Sequence, residues 1–311
     1  MRFVVITGAN GFIGRRLAAY FASKNFKVYA VVRKKAAAAD FFSNMPNIAV
    51  IEGELRDYEQ LACQIPLGAD ALFHLAWSGV SPEARNNSLK QMENVRLSLD
   101  AVQLANAVGA QRFILPGSTS EYCYCGQLIN ETAVPSPQNA YGAAKVSARY
   151  MCESLCREKG IPFIYAVITG VYGEGRNDNN VITYCIKELL RKQAPHLTKL
   201  EQRWDYIYID DLIDALYLIG TKGREGAFYT IGHGDNWPLA NYIKIIHANI
   251  NPGIPLGIGE LPYSGDKLPS SCVDLSSIYR DTGFMPRVAF ERGIKNTIEW
   301  LKNQLENEEE T

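Results

Sequence analysis

Tyr141 and Lys145, in the run Tyr141-Gly142-Ala143-Ala144-Lys145, are the first residues whose types and spacing point to chemistry. A separation of four puts both on one face of a helix, one turn apart. A nearby ammonium favours the phenolate, so the spacing predicts a lowered tyrosine pKa and a group able to pass a proton to or from a carbonyl/alcohol pair. The same spacing is common in surface pairs, and alone it decides little. Upstream, Pro116-Gly117-Ser118-Thr119-Ser120-Glu121-Tyr122 closes a strand-like run with three hydroxyls and a carboxyl. Ligands of open parallel sheets bind at the carboxyl ends of strands. Thr119 is therefore the candidate to hold a substrate oxygen against Tyr141, with Ser118 and Ser120 as further substrate contacts. Glu121 is the candidate base for removing a proton alpha to a ketone. Hydroxyls in such a place also serve as plain loop caps.

The second constellation is Thr7-Gly8-Ala9-Asn10-Gly11-Phe12-Ile13-Gly14, between the first apolar run and the first helical pattern. Gly8 suits the tight turn, Gly11 lets a pyrophosphate approach the backbone, and Gly14 lets helix and strand pack closely. The helix start offers free N–H groups and a positive dipole end to phosphate. Glycines at 8, 11 and 14 in a strand–loop–helix context predict a dinucleotide site along Gly8, Asn10, Gly11, Phe12, Ile13 and Gly14. The second strand ends Val31-Val32-Arg33-Lys34. Val32 stands where an acid for the adenosine ribose hydroxyls is usual, and Arg33 follows. A planar guanidinium binds phosphate oxygens bidentately, so NADP(H) is expected in preference, with NAD(H) possible. Lys34 and Lys35 continue the charge, and a solvated basic turn is the plainer reading.

These residues must be positioned by the elements around them. Candidate strands cover 2–7, 26–32, 47–51, 69–75, 111–116 and 161–168, with helical patterns at 14–24, 57–65, 91–108 and 140–158. Strands rich in Val, Ile and Phe without clean alternation are buried on both faces. Alternating β and α elements predict an α/β fold, a doubly wound parallel Rossmann sheet. After about residue 170 the alternation fades and Pro, Gly and Asn punctuate short segments. The expectation is a dinucleotide-binding part over 1–170 and a smaller mixed α/β substrate-binding region over 171–311, with some elements returning to the main sheet.

The 311 residues include 47% hydrophobic and 21% charged side chains, near globular averages. The net charge of −1 supplies no basic excess for a nucleic-acid backbone. No uninterrupted apolar run approaches the roughly 18 residues of a membrane helix, and Thr7-Gly8 ends the initial apolar run too early for a signal peptide. A soluble cytoplasmic protein is expected. Seven cysteines and four scattered histidines lack zinc-ligand spacing, so buried free thiols and no metal are expected. The acidic ending reads as a frayed, solvated tail.

Together the motifs resemble an extended short-chain dehydrogenase/reductase of the nucleotide-sugar epimerase/dehydratase/4-ketoreductase group, over nearly the whole length. The loop 7–14 is similar to the family loop, Phe73-His74-Leu75-Ala76 to its fourth-strand end, and Asn94 to its helix asparagine. Thr119, Tyr141 and Lys145 resemble its catalytic set, and Trp204-Asp205-Tyr206-Ile207-Tyr208-Ile209-Asp210-Asp211 its segment before a late helix. Gly283-Phe284, Pro286, Gly293-Ile294 and Trp300 resemble its ending. The resemblance implies a dinucleotide lying along residues 8–14, Arg33, Glu54, Leu55, Leu75, Ala76, Asn94, Tyr141 and Lys145, with His74 a packed strand-end residue. It implies a nucleotide sugar at Asn180, Arg203 and the stretch Pro269-Ser270-Ser271. The chain departs from the pattern at Trp204 and near Ser270 and Ser271, where relatives carry arginines that serve a diphosphate; Arg203 or Lys267 would substitute.

The run 118–121 is similar both to 4,6-dehydratases and to 4-keto-6-deoxy-sugar reductases. Arg33 tips the expectation to an NADPH-dependent reductase of a nucleotide-linked 4-keto-6-deoxy sugar, in which Tyr141 protonates the developing alkoxide. The alternative is a 4-epimerase or 4,6-dehydratase using NAD(P) catalytically. A reading of another class is a non-catalytic dinucleotide-binding or redox-sensing module, against which the intact Thr119/Tyr141/Lys145 set speaks. Family analogy implies a homodimer through the helices around 91–108 and 140–158, with a nucleotide sugar and neither nucleic acid nor membrane as partner.

Overall fold

Successive residues of the first strand, β1 (Phe3–Thr7), point to opposite sides, and both sides are buried. Val4 and Ile6 join one apolar layer, Phe3 and Val5 the other. The strand at residues 163–168 behaves alike: Ile164, Ala166 and Ile168 face the first layer, Phe163, Tyr165 and Val167 the second. A strand covered on both faces has no polar side to show, which is why these segments read as continuous apolar runs.

The computed structural model describes residues 2–34, 41–81, 83–123, 128–263 and 270–309. Its central sheet contains β1, β2 (Lys27–Val32), β3 (Ile48–Glu52), β4 (Ala71–His74), β5 (Phe113–Ser118), β6 (Phe163–Ile168) and β11 (Phe228–Ile231). All are parallel, in the order β11-β6-β5-β4-β1-β2-β3. The first six fall on the predicted runs; β11 comes from the later part of the chain and forms the far edge. Helix α1 (Phe12–Ser23) and α6 (Ile209–Lys222) bury their apolar residues in the first layer. Helices α2 (Tyr58–Ala62), α3 (Ser88–Ala107) and α4 (Ala140–Lys159) cover the second. The sheet is thus doubly wound, as the sequence predicts.

The order reverses between β1 and β4. Connections from β1 run one way through β2 and β3, and those from β4 run the other way. Loops leaving the two strands therefore part and open a crevice at their carboxyl ends. Two long helices border it. Asn87 starts α3 by accepting from the Lys90 N–H, and Asn139 starts α4 by accepting from the Gly142 N–H at 2.8 Å. Gly160, in left-handed backbone, stops α4.

The remaining elements build one flank. Strand β7 (Gly170–Tyr172) pairs with β10 (Tyr206–Tyr208), β8 (His196–Leu197) with β13 (Gly257–Ile258), and β9 (Arg203–Trp204) with β12 (Trp237–Pro238). Helices α5 (Val181–Leu190), α7 (Leu239–Ile250) and α9 (Phe290–Glu309) pack around an aromatic cluster of Tyr172, Tyr206, Tyr242 and Phe290. Helix α8 (Ser276–Thr282) lies near α6 and β11. Asp211 on α6 accepts from the Arg287 and Val288 N–H groups, tying the last segment to the main sheet. Among the described residues no helix is long and apolar enough to cross a membrane.

Phe21 is the key of the first layer. It is fully buried and its ring packs on Phe26, Phe73 and Tyr217 at centroid distances of 5.1, 5.4 and 5.1 Å. Phe21→Ala is expected to cost roughly 3–5 kcal/mol in urea unfolding; a cost under about 1 kcal/mol would mean that the layer repacks and α1 is not seated as described.

Candidate active site

Close backbone approach shapes the crevice. Gly8 has φ +67°, and a Cβ there would lie 2.6 Å from the Ala76 nitrogen. A Cβ on Gly14 would lie 2.3 Å from the Gly8 carbonyl oxygen. Side chains are excluded, so the turn lies flat on the start of α1. No side chain caps Gly11, the residue before that helix, and its first turn holds no acid. The free N–H groups and the positive dipole end face an open cleft of about 410 Å³. Of the predicted cofactor residues, Gly8, Asn10, Gly11, Arg33, Glu54, Leu55, Leu75, Ala76 and Asn94 line it. Phe12 and Ile13 instead pack on the first apolar layer, and with Gly14, Tyr141 and Lys145 they do not line the cleft. Arg33 is exposed at the rim. Asn94 acts at one remove: its amide accepts from the Ser78 N–H and hydroxyl and donates to the Ser78 carbonyl and to Gln91. It therefore fixes the loop after β4. A side-chain-free cradle at an uncapped helix start fits the pyrophosphate of a dinucleotide.

Lys145 is buried, 6% exposed, behind Trp77 and does not itself line the cleft. Its Nζ donates to the Pro116 carbonyl at 3.0 Å and lies 3.7 Å from the centroid of the Trp77 ring. Trp77 lines the cofactor cleft, is held by its Nε1–H donating to Gln91 Oε1, and meets Tyr141 edge-on at 6.0 Å. No sequence motif marks Trp77. Tyr141 is buried at the first turn of α4. A Cβ on Gly142 would lie 2.4 Å from the Ser120 carbonyl, so α4 can only start here by pressing its backbone on the 118–121 turn. Ser118, whose hydroxyl accepts from the Ser120 N–H, opposes the rise that burial imposes on the Tyr141 phenol pKa. Thr119 is buried in the same turn, and Ser120 supplies the carbonyl that Gly142 touches.

The pKa expectation for Tyr141 is overturned. Burial raises it, and the Ser118 hydrogen bond and the Arg85 charge oppose that rise. Lys145, whose Nζ is committed to Pro116 and Trp77, does not dominate. Burial likewise lowers the Lys145 pKa, while the Glu121 charge supports its protonated form. Burial raises that of Glu121, against its hydrogen bonds and the Lys145 charge.

Glu121 itself does not reach the cleft. It is fully buried; its Oε1 accepts from the Ser118 N–H at 2.6 Å and the Tyr165 hydroxyl at 2.7 Å. Its Oε2 has no hydrogen-bond partner among the described residues. The carboxyl closes a capping box under the turn. The expectation of a substrate-facing base at Glu121 is thus corrected: the 118–121 turn folds the side chain inward.

His74 is a packed residue, as expected. The Ala76 N–H donates to Thr7 Oγ1, whose hydroxyl lies 2.8 Å from His74 Nδ1; His74 Nε2 lies 3.1 Å from Ser98 Oγ, which donates to the Asn94 carbonyl. The chain of donors assigns an unprotonated Nδ1 and an Nε2–H. Burial, then the Lys145 charge, brings its pKa down to about 3.

A second cavity of about 430 Å³ opens among Tyr184, Trp204, Tyr206, Leu197, Leu239 and the rim residues Asn179 and Asn180. Asn180 caps α5 by accepting from the Ile182 and Thr183 N–H groups. Arg203 does not line this cavity; its side chain is exposed and its carbonyl accepts from the Ser271 N–H. Lys267 and Pro269 lie outside the described residues. Asp205, from the family-like segment, is fully buried and accepts from the His233 and Gly234 N–H groups, a structural anchor.

A family model for the NAD dependent epimerase/dehydratase family matches residues 4–232. The chain belongs to this family. The dTDP-glucose 4,6-dehydratase of Escherichia coli is 28% identical over 191 residues, covering 58% of this chain and 53% of the relative, so the match spans about half of that protein. Among solved structures, a UDP-glucose 4-epimerase with UDP-glucose from Thermotoga maritima superposes with TM-score 0.84 at 22% identity, covering 97% of this chain and 99% of that one. A dTDP-glucose 4,6-dehydratase in complex with NAD from Bacillus anthracis str. Ames gives 0.83 at 16%, covering 98% of each. These likenesses establish the Rossmann-type fold of an epimerase/dehydratase over nearly the whole chain.

For this family member, His74 sets a pH limit. A folded pKa of about 3 against an ordinary 6.5 means that the unfolded chain binds the extra proton below pH 6.5. Stability from this site is therefore present above 6.5 and falls as pH drops toward 3, by about 1.4 kcal/mol per pH unit. In urea unfolding between pH 6 and pH 4, His74→Gln is expected to lose that slope component. Equal slopes in both proteins would contradict the neutral, buried imidazole.

Proposed function

We propose that the chain is an NAD(P)-dependent enzyme acting at C4 of a nucleotide-linked sugar, and that 4-epimerisation is the reaction its site supports best. The observation that carries this reading is the withdrawal of Glu121 beneath the Ser118 turn, while Lys145 and Tyr141 both pack on Trp77, a residue that lines the cleft. Removing a proton alpha to a ketone needs a further base at the sugar; exchange at C4 needs only a proton carrier beside the reacting oxygen. Residues 8–14, Arg33, Glu54, Leu55, Leu75, Ala76 and Lys145 would hold the dinucleotide. When bound, it supplies hydride exchange at the sugar carbon.

The protein's own work is protonic and positional. Tyr141 takes the proton from the C4 hydroxyl or returns it to the C4 oxygen. The phenolate is the form that takes the proton; burial disfavours it, and Ser118 and the Arg85 charge oppose that effect. Thr119 supports the same turn. Lys145 fixes its positive charge between Pro116, Trp77 and the ribose side of the cleft. The second cavity, with its aromatic walls and amide rim, suits the nucleotide base.

Arg33 supports a second reading. It stands at the cleft rim beyond Val32, with no acid at that strand end, a place fit for a 2′-phosphate. On that reading the chain is an NADPH-consuming reductase of a 4-keto-6-deoxy sugar nucleotide, using the same Tyr141 step. Either enzyme would act as a homodimer through the outer faces of α3 and α4, where Leu89, Met92, Tyr150 and Met151 are exposed.

Tyr141→Phe is expected to lower kcat by roughly 10²- to 10⁴-fold while binding NAD like the wild type. A variant that keeps wild-type turnover would end the proposal. NMR of UDP-glucose mixed with enzyme distinguishes the readings: epimerisation gives the C4 epimer with no net change in NADH absorbance. Stoichiometric NADPH oxidation with a 4-keto sugar nucleotide, and no epimer, would decide for the reductase.

A further inference from the structure

Two guanidiniums act on Tyr141, and neither belongs to a motif. The Arg85 guanidinium carbon lies 5.4 Å from the Tyr141 ring centroid, and the Tyr141 N–H donates to the Arg85 carbonyl at 2.9 Å. The loop carrying Arg85 is thus fixed to the start of α4. Arg85 is half-buried. Its Nε donates to the Val80 carbonyl at 2.9 Å, and no carboxylate lies within ion-pair distance among the described residues. Arg176 is the opposite case. Its Nε and Nη2 each lie 2.8 Å from an Asp178 carboxylate oxygen, and its Nη1 donates to the Val171 carbonyl. Asp178 also accepts from Asn180 Nδ2, and Asn180 lines the second cavity. Arg176 is therefore a rigid part of the wall, whereas Arg85 is a partly desolvated cation with its terminal nitrogens uncommitted among the described residues. Both charges reach the Tyr141 hydroxyl and oppose the effect of its burial.

The placement matters because of what lies on either side. Tyr141 packs on Trp77, which lines the cofactor cleft, and Asn180 borders the second cavity. That cavity is lined by no lysine or arginine among the described residues, and Arg203 is outside it. A ligand with its sugar at Tyr141 and its base in the second cavity must pass its two phosphates between them, where burial of unpaired negative charge is costly.

We propose that Arg85 is the oxyanion receptor of the substrate site, its planar fork taking phosphate oxygens of the diphosphate. This rests on the nucleotide-sugar reading above. It assigns to one loop arginine the charge that neither Trp204 nor Arg203 supplies. A guanidinium matches two phosphate oxygens at once, and a lysine does not.

The test is calorimetric binding of UDP, dTDP, CDP and GDP, with the dinucleotide cleft first saturated with NAD. The wild type is expected to bind at least one of them well above its bare nucleoside. For that diphosphate, Arg85→Ala should raise Kd roughly 10- to 100-fold. The affinity for the nucleoside and for NAD should stay unchanged, the latter showing an intact fold. Arg85→Lys keeps charge and bulk; it should still weaken the diphosphate several-fold and guards against a misfolded alanine variant. Diphosphate Kd values equal to wild type in both variants would overturn the proposal alone. A wild type that binds none of the four would overturn the nucleotide-sugar reading and this proposal with it.

Discussion

Backbone meets backbone where Gly8 lies against Leu75 and Ala76, in the gap between β1 and β4. Parallel strands that part at this point leave a crevice, and only residues without side chains let the turn sit flat in it. Gly14, pressed on the Gly8 carbonyl, seats α1 so that its uncapped N-terminus looks into the cleft. The first apolar layer holds α1 in place, and the network Ala76–Thr7–His74–Ser98–Asn94 holds the facing strand end. The cradle is thus a consequence of sheet topology and two steric exclusions.

Behind the opposite wall lies a dry electrostatic layer. Lys145, Glu121, Tyr165 and the Tyr141 phenol are all buried, and each would lose its charged form to desolvation. Lys145 and Glu121 offset part of that cost for one another. Such an arrangement adds little net stability, because desolvation consumes most of the attraction. What it does is fix direction: the carboxyl clamps Ser118 and Tyr165, Ser118 meets Tyr141, and the ammonium is aimed by Pro116 and Trp77. The group best placed to be mistaken for a catalyst, Glu121, is the one that builds the turn.

Much of this was legible in the amino-acid sequence, and the parts that were not have physical reasons. The strands β1 to β6 showed as apolar runs because both faces are buried. Strand β11 did not: Phe228-Tyr229-Thr230-Ile231 is short, and its partner β6 is far along the chain, so no local pattern announces the pairing. The glycine loop was readable because a turn against neighbouring backbone tolerates no other residue. The Tyr141–Lys145 spacing sets both residues on one helix with the ammonium 5.9 Å from the ring centroid, but the direction of the tyrosine pKa is not readable from spacing, since burial is a property of packing. The inward turn of Glu121 is not legible in its own segment, because it depends on Tyr165, a residue on another strand. Arg85, Arg176 and Trp77 sit on loops or just past a strand end, where spacing carries no signal.

The central claim is that one crevice holds a dinucleotide along residues 8–14 and presents its reactive ring to Tyr141. A crystal structure of the chain soaked with NAD tests it most directly. The account predicts density for the pyrophosphate at the Gly11 end of α1, with the nicotinamide beside Tyr141 and Lys145 at the ribose. A dinucleotide bound elsewhere, or one whose nicotinamide points away from the Tyr141 hydroxyl, would contradict it.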